Sequence, residues 1–263
     1  MPDRRKHRGP HPEDDRLFDL PAQQALRPAA ADFSWLLDHG YPHDSALKLV
    51  GDRYALVARQ RTALSRCCCS DAAAARRRSC QVDAEQLRGA VLSVDGYNVL
   101  TTIEAALAGG VILAARDGTY RDMASMHGSY RKVAETLPAL DLLGRTIAAC
   151  QVTECRWFLD QPVSNSGRLK QLIETLAAAR GWPWRAELVP DPDIVLAGFT
   201  AKATPEAPQP RPVADSDDRL VSSGRIVATA DSVILDRCPA WFNLAGETIV
   251  ASVPDAWVVE LGG

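Results

Sequence analysis

Residues 93–100 read SVDGYNVL, and together with Val91 and Leu92 they run a short apolar segment into a carboxylate, Asp95, followed by a glycine, an aromatic and, three positions on, the carboxamide of Asn98. The apolar residues Val91, Leu92 and Val94 predict a buried β-strand, and TTIEAALAGG just beyond them predicts a helix closed by two glycines. In an open parallel α/β sheet the functional crevice lies outside the carboxyl ends of the strands, so a side chain just past the last apolar residue points into it. Asp95 holds that position. The same rule recurs in ECRWFLD, which ends on Asp160, and in RIVATADSVIL, where Asp231 follows the apolar run.

Outward from these strands, short apolar runs alternate with longer helical stretches. VILAARDG is a second apolar run, and SMHGSYRKVAETLPALDLLGRTIAAC predicts one or two helices interrupted at Pro138. SNSGRLKQLIETLAAARG predicts a helix capped by Ser164 or Asn165, and WRAELV a further strand. Residues from about 200 to 224 are rich in proline and polar side chains and read as a surface loop. Strand and helix in alternation imply a mostly parallel sheet flanked by helices over residues 89–263. Residues 17–88 carry apolar positions at helical spacing, Phe33, Leu36, Leu47, Val50 and Leu64 among them, and predict a small all-helical domain. Residues 1–16 are polar and are expected to be disordered. Arg53, Arg59, Arg61, Arg66 and the ARRRS run read either as a solvated helix face, the plainer reading, or as a stripe that meets phosphates.

A hydrophobic content of 46% over 263 residues is ample for a packed core. No run approaches the roughly 18 consecutive apolar residues needed to cross a bilayer, and the charged start MPDRRKHRGPHPEDDR has no apolar segment to act as a signal, so a cytoplasmic protein with no membrane partner is expected. Seven cysteines, including the Cys67–Cys69 triplet, point to a reduced compartment. They show neither a repeated CxxC pair nor a following histidine pair, and buried or half-exposed thiols account for them without zinc.

Three carboxylates at adjacent strand ends would repel one another and resist ionisation unless a cation sat between them. Oxygen ligands without histidine suit Mg²⁺ or Mn²⁺, and such an ion favours phosphodiester chemistry. The expected metal set is Asp95, Asp160 and Asp231, with Asp122 as a further ligand; Glu104, Asp191, Asp193 and Asp236 read more simply as caps, turn residues or exposed acids. Asn98 is expected to hold the first turn or to orient Asp95. Ser164, Asn165 and Ser166 sit at a helix start where hydroxyls and free N–H groups would cradle a phosphate or simply cap the helix, and Arg168, Arg121 and His127 are candidates to neutralise a substrate backbone.

VDGYNVL, LDQPVSNSG and VATADSVILD together resemble the PIN and NYN superfamily of metal-dependent ribonucleases, over roughly residues 88–255. The front, WLLDHGYPHDSALKLVGDRYALVARQR, resembles the family of domain of unknown function 434, found ahead of a PIN-like domain, and that likeness extends over most of the chain. The resemblance implies a PIN-like Rossmannoid sheet behind a helical front, with Asp95 and Asp231 matching the most recognisable PIN acids and RNA as substrate. The function expected is Mg²⁺- or Mn²⁺-dependent cleavage of RNA, with Asp95, Asp160, Asp231 and Asn98 as the catalytic group. The alternatives are a non-catalytic PIN-like module binding RNA or a nucleotide, a metal-dependent hydrolase of a small phosphorylated molecule, and an interaction protein. Homodimerisation is left open. After the first strand there is no G-x-G-x-x-G turn, which speaks against a dinucleotide site.

Overall fold

The structure is a computed structural model that describes residues 7–124, 130–198 and 225–261. His127 and the proline-rich segment at about 200–224 lie outside the described residues.

The strand built on SVD is β2 (Val91–Asp95), and it lies at the centre of a six-stranded sheet. With β1 (Gln81–Val82), β5 (Glu154–Asp160), β6 (Trp184–Val189), β7 (Arg225–Ala228) and β8 (Trp241–Phe242), the order is β1-β8-β7-β2-β5-β6 and every pairing is parallel. The chain steps from β2 outward through β5 to β6, then returns to the other side of β2 for β7 and β8. The order therefore reverses at β2, the place where open parallel sheets form a crevice at their carboxyl ends.

One face of this sheet, with Leu92, Val94, Trp157, Leu159, Ala186 and Ala228, is buried under α6 (Gly96–Leu107), α7 (Thr136–Ala149), α8 (Ser166–Arg180) and the late helix Leu244–Ser252. On the opposite face Phe158 and Val227 are covered by the short helices Pro192–Leu196 and Ser232–Leu235. Nearly every residue of α6 is buried, its apolar side in the core and its polar side chains Asn98, Thr101, Thr102 and Glu104 hydrogen-bonded to other segments. Pro138 does not interrupt α7: it falls in the first turn, where the missing N–H has no intrahelical partner to lose, so one helix forms.

The second apolar run does not join the main sheet. It forms β3 (Ile112–Ala114), which pairs antiparallel with β4 (Tyr120–Asp122) and parallel with β9 (Val258–Glu260). Ahead of the sheet lie α1 (Asp14–Leu17), α2 (Leu20–Asp38), α3 (His43–Arg53), α4 (Ala58–Cys67) and α5 (Asp71–Ser79). Their core of Phe18, Leu26, Phe33, Val50 and Leu64 is continuous with Leu113, Val259 and Leu261 of the small sheet. The helical front and the α/β body thus share apolar surface. β1, which falls in the segment read from sequence as helical, is an edge strand of the main sheet.

The start of the chain also differs from expectation. Arg8 donates from Nε to Oε2 of the fully buried Glu104 at 2.5 Å, and buried Asp14 takes a two-pronged grip from Arg59. Residues 7–16 are held by these ion pairs, which polarity alone could not announce. No helix among the described residues is long and apolar enough to cross a membrane.

Candidate functional site

Asp95 ends β2 and occupies the position before the first turn of α6, yet its side chain caps nothing in that helix. Gly96 is what lets the turn be made: a Cβ there would lie 2.5 Å from Leu159 Cδ2 and 2.8 Å from the carbonyl oxygen of Phe158, both on neighbouring β5. The helix start is thus pressed against β5, and the Asp95 carboxylate stays buried at the strand end.

What binds Asp95 is the segment that follows β7. The Thr229 hydroxyl donates to Asp95 Oδ2 at 2.8 Å and accepts from the Asp231 backbone N–H at 2.9 Å. Asn98 Oδ1 accepts from the Ala230 N–H at 2.8 Å. The carboxamide three residues past Asp95 therefore neither orients Asp95 nor closes its own turn; it grips the loop that carries the other acid. Asp231 in turn caps the helix Ser232–Leu235 through Oδ1, accepting from Val233 and Ile234 N–H groups.

β5 and β7 flank β2, so the ends bearing Asp160 and Asp231 lie on either side of Asp95. Burial raises Asp95 to about 7, opposed by the Thr229 hydrogen bond and reinforced by the negative charges of Asp231, Asp193 and Asp160. Partial burial and the charges of Asp231, Asp191 and Asp160 raise Asp193 to about 6. Asp160 is raised by burial and by Asp191. Asp231, Asp193 and Asp160 thus act on Asp95, and Asp231, Asp191 and Asp160 on Asp193, a gathering of like charges that favours uptake of a cation. Among the described residues, however, no three His, Cys, Asp or Glu side chains stand close enough to hold one as they are placed.

Asp95, Asn98 and Asp231 open onto a groove of about 360 Å³ that Tyr97, Asp122 and Arg121 also line. Its remaining wall includes Ser65 and Arg66, contributed by α4 of the helical front.

Two expected site residues are committed to the fold instead. Asp122 accepts through Oδ2 from Thr101 and Thr102 and through Oδ1 from the Ala124 N–H, which leaves little of the carboxylate for an ion. Arg121 spends its guanidinium on the carbonyls of Ala230 and Arg66 and on Asp117, so it braces the groove from within and does not reach for a substrate. Glu104 is bound to Arg8, Tyr130 and Thr136, and Asp236 is gripped by two nitrogens of Arg77; both lie outside the acid group.

The helix-start cluster is partly structural as well. Asn165 sits before α8 at φ 70°, and its Nδ2 donates to the Tyr130 carbonyl without capping the helix. The Ser164 carbonyl accepts from the Tyr130 N–H, and buried Ser166 donates to the Gln161 carbonyl at 3.4 Å. Arg168 is exposed, and its guanidinium has no partner among the described residues.

The arginine stripe is likewise mostly spent on protein partners. Arg59 grips Asp14, Arg61 bonds Asp52, and in the ARRRS run Arg76 bonds the Leu235 carbonyl while Arg77 joins Asp117 and Asp236. The cysteines are free, and burial raises Cys67, Cys68 and Cys69, with Cys68 at about 12, so they stand as thiols. Sequence reasoning missed the bridging role of Thr229 and the buried hydroxyl of Tyr97, which has no hydrogen-bond partner among the described residues. Thr229 stands two residues before Asp231, but no local pattern says that its hydroxyl reaches across to another strand.

Residues 84–207 match the model of a family described as a domain of unknown function (DUF5616). An uncharacterized protein of Methanocaldococcus jannaschii is 29% identical over 149 residues, which span 57% of this chain and 71% of that protein. No solved structure matches the chain. The likeness read at the front of the sequence is found over residues 25–79, which match the model of a protein of unknown function (DUF434), and not over most of the chain.

Proposed function

We propose that the chain is a nuclease dependent on Mg²⁺ or Mn²⁺, with a PIN-like α/β body, that hydrolyses phosphodiester bonds of RNA. The observation that carries this reading is the placement of Asp95 on the central strand, at the point where strand order reverses, with Thr229 joining it to the segment that bears Asp231. The donor set fits a hard divalent ion: carboxylate oxygens, with Asp95 pushed up by burial and by the negative charges of Asp231, Asp193 and Asp160. Asp95, Asp160 and Asp231 are the residues that would hold it, with Asp193 beside them. When bound, such an ion supplies an activated water and a counter-charge for the phosphorus oxygens.

The chain's own part is orientation. Thr229 and Asn98 fix the Asp231 segment against β2 and α6, so Asp95 and Asp231 are set relative to each other by two hydrogen bonds from the segment that follows β7. A groove shared by acids and an arginine, open along the junction of two parts of the chain, suits a polymer better than a small phosphorylated molecule.

A second reading is favoured by the spread of the carboxylates: a PIN-like module that binds RNA without cleaving it. Calorimetric titration with Mn²⁺ separates the two. The nuclease reading expects binding by the intact chain and its loss in Asp95→Asn, together with Mn²⁺-dependent cleavage of labelled single-stranded RNA that falls by about 100-fold or more in Asp231→Asn. RNA binding with no Mn²⁺ uptake and no cleavage in any of these proteins leaves the binding module as the answer.

A further inference from the structure

The arginines of α3 and α4 do not share one fate. Arg59 and Arg61 are hydrogen-bonded to the carboxylates of Asp14 and Asp52, and Arg53 projects into solvent beside Asp32. Arg66 differs. Its Nη1 and Nη2 donate to two main-chain carbonyls, of Asp122 at 2.5 Å and of Ala124 at 2.7 Å. Among the described residues the nearest carboxylate oxygen, Asp122 Oδ1, is 3.6 Å away and already accepts from the Ala124 N–H. The guanidinium is thereby fixed in place by carbonyls, with no carboxylate of the described residues hydrogen-bonded to it, and 29% of the side chain remains accessible.

Arg66 also reaches the groove that contains Asp95 and Asp231, and so does its neighbour Ser65. The Ser65 hydroxyl beside it is spent within the protein: His43 Nδ1 donates to Asp44 Oδ1 at 3.0 Å, so Nε2 accepts from Ser65 at 3.2 Å. A fixed guanidinium with N–H groups left over is a donor matched to phosphate oxygens, and pre-fixing it reduces the entropy lost on binding. The acids of the same groove favour a cation, so the groove offers two separate kinds of contact to a chain of phosphates.

We propose that Arg66 is a phosphate-binding subsite through which the helical front holds an RNA strand, by a phosphate other than the one at the acid group. The identity of the strand rests on the nuclease reading; the anion-binding chemistry of the subsite does not.

The test is fluorescence anisotropy of a labelled single-stranded oligoribonucleotide, titrated in EDTA at several salt concentrations. Arg66→Gln is expected to weaken binding about tenfold and to reduce the slope of log K against log salt by about 0.7, the share of one single-strand phosphate. Arg66→Lys, which keeps the charge and loses the fork of N–H donors, is expected to weaken it about threefold. Mn²⁺ affinity should be unchanged in both variants, because Arg66 does not belong to the acid group. Unaltered affinity and salt slope in Arg66→Gln overturn the subsite. If Arg66→Gln fails to fold, Arg66→Lys decides alone, and an unaltered affinity there overturns it equally. Inorganic phosphate that binds as tightly as the oligoribonucleotide, with the same dependence on Arg66, overturns the assignment to a polynucleotide. Because the titration contains no free divalent ion, failure of the intact chain to take up Mn²⁺ sinks the nuclease reading and leaves the subsite result standing.

Discussion

Thr229 has one hydroxyl and uses it twice, giving its proton to Asp95 and its lone pair to the Asp231 N–H. Asp95 is by this means tied to a neighbouring strand while still buried among like charges, and the cost appears in its titration. The folded chain keeps this proton up to about pH 7, whereas the unperturbed value is 3.8. Between those values the native state binds more protons than the unfolded one, so this group makes stability fall as pH rises from about 4 to about 7. Asp95→Asn keeps an acceptor for Thr229 and removes the charge. In EDTA the variant should therefore melt higher than the parent at about pH 8, with a flatter stability profile across that interval. A lower melting temperature there would contradict the burial of an unrelieved charge.

At the scale of elements, the decisive contact is that of α6 against β5. Gly96 stands where a methyl group would meet Leu159 Cδ2 and the Phe158 carbonyl, the second of which is backbone and cannot turn aside. Gly96→Ala is expected to destabilise the chain by about 1–3 kcal/mol through overpacking, read as a lower urea midpoint at unchanged slope. The same substitution should displace the helix start that carries Asn98, so the grip on the Ala230 N–H weakens along with it. β2, β5, β6, β7 and α8 were legible because their apolar period is local, and ECRWFLD and WRAELV are β5 and β6 residue for residue, whereas β1, β4, β8 and β9 carry too short an apolar run to be read. The sheet to which β3 belongs was not legible: three apolar residues do not say which edge they will pair with.

For the whole molecule, the helical front and the body behave as one packed unit. They share the apolar core around Leu113 and Val259, and Arg77, buried between them, is held by Asp117 on one side and by Asp236 on the other. Arg77→Ala leaves Asp117 buried with one basic partner fewer and is expected to cost about 3–5 kcal/mol. Calorimetry should show a single unfolding transition for the parent chain, shifted downward in the variant. Two resolved transitions in the parent would mean that the shared core does not couple the parts. Because Ser65 and Arg66 of the front and Asp95 and Asp231 of the body line one groove, this coupling also sets the shape of the candidate site.

The sequence by itself determined the parallel α/β body, the helical front and the placement of Asp95, Asp160 and Asp231 at strand ends, because these follow from periodicity along a few residues. Only the tertiary structure decided which acids remain together and which are taken up elsewhere. Asp122 was expected to join Asp231 as a ligand, yet the hydroxyls of Thr101 and Thr102 commit it to the fold, as Arg8 and Arg77, brought from distant segments, commit Glu104 and Asp236. The reason is physical: whether a carboxylate can take a cation depends on its partners across space, and Thr229, the partner of Asp95, lies 134 residues away along the chain.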